Sequence, residues 1–251
     1  MSNSKSSQRE SEGLSAPPNR VHGTSTLGSL LFITLRSLDV PFQLYLLRRY
    51  PLTTSGSSYL GLSPYYATVA SMVVVTSIRH VFWKLVIGEQ VLAPSFAMIV
   101  STFNTVFNGL NITMAIWGRI RNAPSANEGT FNSASQTLGL GLFIIGSFLE
   151  TFSELQRKTF KSSPKNKGKL YTGGLFSLAQ HINFGSYLLW RVGFSMFCGG
   201  WTWGAMELGY FSWYFSSIGV PDIDKYLAER YGNAWREYER ETKYSILPWV
   251  Y

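Results

Sequence analysis

The sequence is poor in charged residues. Asp, Glu, Lys and Arg together make up 14% of its 251 residues, well below the roughly 25% of an ordinary soluble domain. Aromatic residues reach 16% instead. This composition is typical of a polytopic membrane protein, and it argues against the one or two soluble domains that the length alone would allow.

Cysteine and histidine are also scarce. Cys198 is the sole cysteine, which excludes an intrachain disulfide framework and any zinc site built from several cysteines. Because it lies within an apolar segment, we expect it to be a small buried residue. The chain has three histidines, and only His181 lies in the chemically richest region, so we expect no metal site.

An apolar run is missing from the first 26 residues. This segment is rich in serine and contains Pro17-Pro18. Since no hydrophobic region follows Lys5 or Arg9, the segment is predicted to be a disordered cytosolic tail and not a signal peptide.

Six apolar segments long enough to cross a membrane follow this tail, because a helix needs about 20 residues to span the hydrocarbon core. The first contains Arg36 and Asp39, so we expect it to be amphipathic or packed against other helices. The last two meet at Gly199-Gly200, which predicts a tight turn and a helical hairpin. We therefore predict an all-α polytopic membrane bundle with about six transmembrane helices. The segments lie at about 27–47, 65–87, 93–118, 135–154, 174–197 and 199–218.

From Pro221 the chain becomes polar again. Apolar and aromatic residues recur there at spacings of three and four between charges, which predicts an amphipathic helix on the cytosolic face, broken near Gly232. This helix lies on the surface or forms a lid over a cofactor. The recurring residues are Tyr226, Leu227, Tyr231, Ala234, Trp235 and Tyr238.

The net charge of +8 resides mostly in loops and ends beside the apolar segments. Nucleic-acid binding would need basic and aromatic residues interleaved on a soluble fold, so we expect no nucleic-acid partner. The expected partners are the lipid bilayer and a hydrophobic small molecule. A basic loop after the fourth span should face the cytosol, and this places both termini on the cytosolic side.

The most informative stretch runs from Gln156 to Arg191. Arg157 and Lys161 are one helical turn apart, so they project from one face of a continued fourth helix and can grip a phosphate or pyrophosphate. The alternative is that these charges anchor the helix at the membrane surface. The loop has six basic residues and no acidic ones, namely Arg157, Lys158, Lys161, Lys165, Lys167 and Lys169.

Polar side chains follow this loop inside an apolar segment, where they are costly and usually functional. His181 and Asn183 lie two residues apart and point to different sides of a helix, which suits hydrogen bonding to an amide and to ribose or base groups. The alternative for His181 is a core histidine bonded to backbone. Asn166 and the nearby glycines make the loop pliable and let backbone amides approach an anion.

Glu150 and Glu154 form a carboxylate pair one turn apart at the end of the fourth span. A buried pair can supply a general acid, whereas the alternative is a salt-bridged helix end. Tyr171, Tyr187 and Tyr238 are further possible proton donors, and the sequence does not choose among them.

Three segments resemble the membrane sterol and steroid reductases, whose C-terminal region reads roughly F-K-x-x-P-x-N-x-G-K, then G-L-W, then R-H-P-N-Y-x-G-[ED]. The closing segments 230–238 and 246–251 are similar to the reductases' K-Y-G-x-x-W-x-x-Y and I-x-P-x-x-Y. The resembling segments are FKSSPKNKGK at 160–169, GLF at 174–176 and QHINFGSY at 180–187.

This resemblance implies an NADPH-dependent reduction of a carbon–carbon double bond in the endoplasmic reticulum membrane. Residues 135–251 would form the cofactor-binding region, and the spans within 27–134 would form the substrate side. Arg157 and Lys161 would hold the cofactor phosphates, with Asn166, Lys169 and His181 also at the site. Phe176, Asn183 and Phe184 would line the nicotinamide and ribose region, and Tyr231 and Tyr238, with Asp224 or Asp222, would close the pocket.

The motif also departs from the reductases. Gln180 and Ile182 replace the usual Arg and Pro, and Tyr187 takes the acidic position. An aromatic residue there also occurs in the isoprenylcysteine carboxyl methyltransferases, which use S-adenosylmethionine, although the basic loop is rich for a cofactor without phosphates. A non-catalytic lipid-binding protein is a third interpretation. For a reductase, Tyr187 or the Glu150/Glu154 pair would donate the proton.

Overall fold

The computed structural model describes residue 23 and residues 25–50, 61–121 and 133–251. Most of the predicted tail, residues 1–22 and 24, therefore lies outside the described residues. Every regular element within them is helical. The helices are α1 (Thr26–Arg49), α2 (Pro64–Phe82), α3 (Pro94–Arg121), α4 (Ala134–Ser162), α5 (Ile182–Tyr214), α6 (Val220–Tyr231) and α7 (Asn233–Glu241).

Short turns complete these helices. The π-helical turns Trp83–Ile87 and Phe215–Gly219 extend α2 and α5, and the segments Pro164–Asn166 and Gly174–Ser177 form single 3₁₀ turns.

Serine residues begin three of the helices. Ser25, Ser63 and Ser133 each accept a hydrogen bond from the backbone N–H three residues later, which satisfies one of the donors left free at a helix start. Pro64 follows directly, at a position where its missing N–H costs nothing.

The outer surface of the bundle is apolar. Large side chains such as Ile144 and Phe148 on α4 are 57% and 62% exposed, which is favourable in lipid and unfavourable in water. Within the described residues, three helices are long and apolar enough to cross a membrane: Thr26–Arg49, Pro64–Ile87 and Ala134–Ser162. The predicted all-α membrane bundle is confirmed.

Polar residues lie inside the bundle. The buried residues of α1 recur every three or four positions and include Arg36, Asp39 and Gln43. The Arg36 guanidinium lies 3.1 Å from Asp39, whose carboxylate also accepts from Gln43 at 2.9 Å and from Asn108 of α3 at 2.6 Å. The charges within the first span are therefore packed against other helices, as one of the two alternatives predicted.

Helices α4 and α5 pack with their backbones in contact. A Cβ atom on Gly146 would lie 2.5 Å from the backbone nitrogen of Trp190, and one on Gly193 would lie 2.5 Å from the backbone oxygen of Gly139. Small residues allow this close approach, which is a common way for helices to associate in membranes.

Replacing Gly146 by alanine is expected to destabilise the protein by about 1–3 kcal/mol, because α4 and α5 would have to separate. Gly141 is the matched control on the same helix, since a Cβ there has no neighbour within 4 Å. Gly141→Ala should be neutral or slightly stabilising. Thermal unfolding in detergent compares the two variants, and equal melting temperatures would contradict the tight packing.

Helix α5 is a hairpin. At Gly200 the backbone takes φ 74° and ψ −165°, a conformation that favours glycine, and the chain reverses. The arm 182–199 packs through aromatic rings against the arm 201–214 and the π-helical turn that follows it. The centroids of Tyr187 and Phe211 lie 5.5 Å apart, and those of Phe184 and Phe215 lie 4.9 Å apart. The predicted hairpin is confirmed.

The predicted start of the fifth span at residue 174 is wrong, because α5 begins at Ile182. Gly174 has φ +58° and opens a 3₁₀ turn. The backbone N–H groups of Gln180 and His181 donate instead to the carbonyls of Tyr244 and Ser245. These two N–H groups are therefore not available for the bonds to carbonyls four residues earlier that a continuous helix would need.

The C-terminal region folds back onto the hairpin. Gly232, with φ 54°, separates α6 from α7, so the predicted break near this residue is confirmed. Trp235 and Tyr238 of the predicted amphipathic stripe are buried. The Ile246 carbonyl lies so close to Gly185 that a Cβ there would be 1.9 Å away.

Candidate functional site

A cavity of about 480 Å³ lies between the basic loop and helices α6 and α7; we call it the outer cavity. Its walls carry positive, negative and phenolic groups. Residues on these walls include Lys169, Arg230, Tyr231, Glu237, Tyr238 and Glu241. Three of the residues predicted to bind a cofactor, Lys169, Tyr231 and Tyr238, are therefore brought to one cavity.

Lys161 adjoins this cavity from the end of α4. Its ammonium group donates to the Tyr231 hydroxyl at 2.8 Å and to the Lys169 carbonyl, and it lies 4.9 Å from the centroid of the Tyr231 ring. Asn166 closes the intervening loop by donating to the Phe160 carbonyl at 3.0 Å. These contacts hold the Lys161 ammonium group beside the basic loop, which the sequence analysis predicted to bind phosphates.

Arg157 connects the outer cavity to the interior. Its guanidinium forms an ion pair with Glu154 and lies 5.7 Å from the centroid of the Phe176 ring. The Phe176 carbonyl accepts a 2.6 Å hydrogen bond from Tyr238. Burial raises the pKa of Tyr238, so this phenol stays neutral and keeps donating.

Glu154 lies at the junction of α4 and α5. Besides the pair with Arg157, its carboxylate accepts a 2.9 Å hydrogen bond from Asn183. The residue is 5% exposed. Glu154, a predicted catalytic residue, therefore contacts Arg157 and Asn183, which were both predicted to bind the cofactor.

His181 points to the opposite side, toward α6. Its Nε2 lies 2.7 Å from the Asp224 carboxylate, and its ring stacks on Phe184 and contacts Trp235 at centroid distances of 5.6 and 5.8 Å. Asp222, the alternative to Asp224, is exposed. His181 and Phe184 do not line the outer cavity, and their contacts join α5 to α6 and α7.

A second cavity, of about 250 Å³, lies between α1, α2, α3 and α4; we call it the inner cavity. Four of its walls are the aromatic side chains Phe32, Phe82, Trp83 and Phe96. Its polar edge consists of Arg79, His80, Glu150 and Glu154. Glu154 therefore faces the inner cavity while Arg157 and Asn183 hold it from the other side.

Glu150 is tightly held at the edge of the inner cavity. Its Oε2 pairs with Arg79 and accepts from the Trp190 indole N–H at 2.5 Å. Arg79 donates in addition to Ser147 and Thr151, both at 3.2 Å. Both carboxylates of the predicted pair thus form ion pairs, Glu150 with Arg79 and Glu154 with Arg157.

Tyr187 lies one turn from Arg191 on α5. Its hydroxyl accepts a 2.9 Å hydrogen bond from the Arg191 Nε, and its ring is 5.0 Å from Trp190. Arg191 is fully buried and also donates to Asn104 of α3. Trp190 therefore links Tyr187 to Glu150, because it contacts the Tyr187 ring and donates to the Glu150 carboxylate.

The charged or ionisable residues of the two cavities that were not predicted from the sequence are Arg79, His80, Arg230, Glu237 and Glu241. The signal for the first two was available, because an ionisable residue inside an apolar span is a functional hypothesis by default. Arg230 lies in a charged amphipathic helix, where one more cation carries no signal.

A model of the family described as "Protein of unknown function (DUF1295)" matches residues 87–242, which is more than half of the chain. The chain belongs to this family. The matched residues run from the end of the π-helical turn after α2 through α7, so they include the basic loop and all of the outer cavity. The α1 and α2 walls of the inner cavity lie almost wholly before the match.

Two relatives carry names that describe an activity. The chain is 31% identical over 235 residues to the probable O-methyltransferase ustE of Ustilaginoidea virens, which covers 85% of this chain and 82% of that protein. It is 32% identical over 124 residues to the Delta(14)-sterol reductase ERG24 of Saccharomyces cerevisiae, which covers 45% of this chain and 26% of that protein.

These similarities fit a membrane reductase or methyltransferase, and the similarity to a sterol reductase indicates an enzyme. The resemblance predicted from the motifs is supported at this level.

Proposed function

We propose that the protein is a membrane-embedded reductase that uses NADPH to reduce a carbon–carbon double bond in a hydrophobic substrate. One observation carries the proposal: the ion pair of Glu154 with Arg157 links the apolar inner cavity, which Glu154 lines, to the basic loop beside the outer cavity. We further propose that the enzyme resides in the endoplasmic reticulum with both termini in the cytosol.

The outer cavity has the donor set that a phosphorylated nucleotide needs. Lys161, Lys169 and Arg230 supply positive charge for phosphates, and Glu237 and Glu241 supply acceptors for ribose hydroxyls. The volume of about 480 Å³ lies within the roughly 300–1,000 Å³ of small-molecule sites. NADPH, when bound, supplies the hydride.

In this proposal the protein's own residues position the reactants and deliver the proton. Arg157 and Asn183 fix Glu154, and the aromatic walls of the inner cavity exclude water from the substrate. Because Glu154 lines the inner cavity and also contacts Arg157, it is positioned to relay a proton from the outer side. Tyr187 accepts from Arg191, so its own proton remains available for donation.

A second candidate is a methyltransferase that uses S-adenosylmethionine. The similarity to the probable O-methyltransferase favours it, because that similarity covers most of both chains. The inner cavity would then hold the methyl acceptor. The basic loop has no task in this alternative, since S-adenosylmethionine carries no phosphate.

Thermal unfolding of the detergent-purified protein with NADPH, NADH or S-adenosylmethionine tests the proposal. A ligand at about 100 times its Kd stabilises by about 2.7 kcal/mol, so we expect NADPH to raise the melting temperature by several degrees. Stabilisation by S-adenosylmethionine alone would replace the reductase by the methyltransferase. No effect of any of the three would favour a non-catalytic lipid-binding protein.

A further inference from the structure

His80 lies on α2 at the polar edge of the inner cavity. Its Nδ1 is 3.2 Å from the Nε of Arg36. Arg36 is fully buried and is fixed by Asp39 at 3.1 Å and by Thr105 at 3.4 Å. A rigid cation therefore contacts one nitrogen of the His80 ring.

This contact determines which ring nitrogen carries the proton. A guanidinium group can donate hydrogen bonds but cannot accept them, so Nδ1 of His80 must present its lone pair to Arg36. The imidazole is then neutral and carries its proton on Nε2. A neutral imidazole with a fixed N–H is well suited to polarising an oxygen atom.

The Nε2 proton has no acceptor among the described residues, where the His80 side chain forms one hydrogen bond, with Arg36. The other charged groups on the wall already have hydrogen-bond partners. Arg79 directs all three of its side-chain nitrogens at acceptors, and Glu154 is bound by Arg157 and Asn183. His80 thus has spare donor capacity at the inner cavity.

We propose that His80 binds the oxygen atom of the substrate in the inner cavity, donating a hydrogen bond from Nε2 to a carbonyl or hydroxyl group. The proposal rests on the proposed function in treating this cavity as the substrate site. The volume of about 250 Å³ and the four aromatic walls select the ring-bearing, oxygen-substituted end of an apolar molecule. Phe32 and Trp190 hold the His80 ring edge-on, with centroids 6.4 and 6.2 Å away.

The direct test is nitrogen NMR on protein labelled with ¹⁵N-histidine, in detergent. Three histidines are present, so the signals are assigned by substituting His22 and His181 in turn. We expect Nδ1 of His80 to be unprotonated and Nε2 to be protonated. Acetophenone should shift the Nε2 signal, whereas ethylbenzene, which lacks the oxygen, should not.

Affinity measurements on variants complete the test. His80→Phe should weaken acetophenone binding about fivefold and leave ethylbenzene binding unchanged, because one hydrogen bond between neutral groups contributes about 1 kcal/mol. His80→Gln should recover part of the preference, since its amide can accept from Arg36 and still donate. Phe96→Leu is the control, and it should weaken binding of both probes alike.

A proton on Nδ1 of His80 would overturn the proposal. So would an equal loss of affinity for acetophenone and ethylbenzene in His80→Phe, or a failure of the folded wild type to bind acetophenone. NADPH stabilisation measured on the same samples separates this proposal from the proposed function. If NADPH binding is retained while the ketone preference is missing, the His80 assignment alone is wrong. If the ketone preference holds without NADPH binding, His80 keeps its role and the reductase proposal fails.

Discussion

Replacing Asp39 by alanine is expected to destabilise the protein by about 3–5 kcal/mol, because the Arg36 charge would remain buried without its counter-ion. Both side chains of this pair are fully shielded, and they lie 3.1 Å apart. Gln43 and Asn108 would also lose the acceptor to which they donate. Thermal unfolding in detergent measures the loss, and we expect little folded protein at 37 °C.

A surface ion pair provides the matched control. Lys158 lies 3.4 Å from Glu89, with side chains 30% and 49% exposed, and exposed pairs contribute at most about 1 kcal/mol. Lys158→Gln should therefore unfold close to the wild type. If Asp39→Ala behaves like this control, the buried pair does not exist as described.

The double variant Arg36→Met, Asp39→Leu refines the experiment. Removing both charges together avoids an unpaired buried ion, so we expect the double variant to be more stable than Asp39→Ala. Recovery should be partial, because Gln43, His80 and Asn108 still lose their partners.

The second large effect concerns the cofactor. Lys161→Met is expected to weaken NADPH binding roughly 10- to 100-fold, because hydrogen bonds to charged groups contribute about 1.5–3 kcal/mol. The ammonium group is fixed by Tyr231 and the Lys169 carbonyl beside the outer cavity. Isothermal titration of detergent-purified protein measures the Kd.

Lys165 is the control for this variant, because it belongs to the same basic loop but is exposed and does not line the outer cavity. Lys165→Met should change the affinity less than about twofold at 0.15 M salt, where exposed charges are screened beyond about 8 Å. An equal loss of NADPH affinity in both variants would mean that the loop attracts anions through its overall charge and that Lys161 has no specific role. Unchanged affinity in Lys161→Met would remove this lysine from the cofactor site.

The sequence predicted most of the fold because the fold depends on local patterns. Apolar runs marked the helices, and Gly200 and Gly232 marked the two breaks. The start of the fifth span was misplaced because the decisive bonds are long-range. The N–H groups of Gln180 and His181 bond to residues more than sixty positions later, and no local pattern records that pairing.

The sequence predicted individual residues of the candidate site, but it could not predict which of them lie together in the folded chain. The spacing of Glu154 and Arg157 allows the ion pair that forms between them. The pairing of Glu150 with Arg79, 71 residues earlier, depends on how α2 packs against α4. The division into two cavities likewise requires the tertiary structure, and the catalytic and cofactor roles of the predicted residues stay predictions.

The buried stripe of α1 has a consequence for how the protein enters the membrane. The free energy of inserting an isolated helix rises by about 2.5–3.5 kcal/mol for each Arg or Asp near the bilayer centre, whereas each leucine lowers it by only about 0.5 kcal/mol. Arg36 and Asp39 find their partners on α2 and α3, in His80, Thr105 and Asn108. We therefore expect the stable insertion of the first helix to depend on its packing against α2 and α3, and so on the synthesis of the third helix.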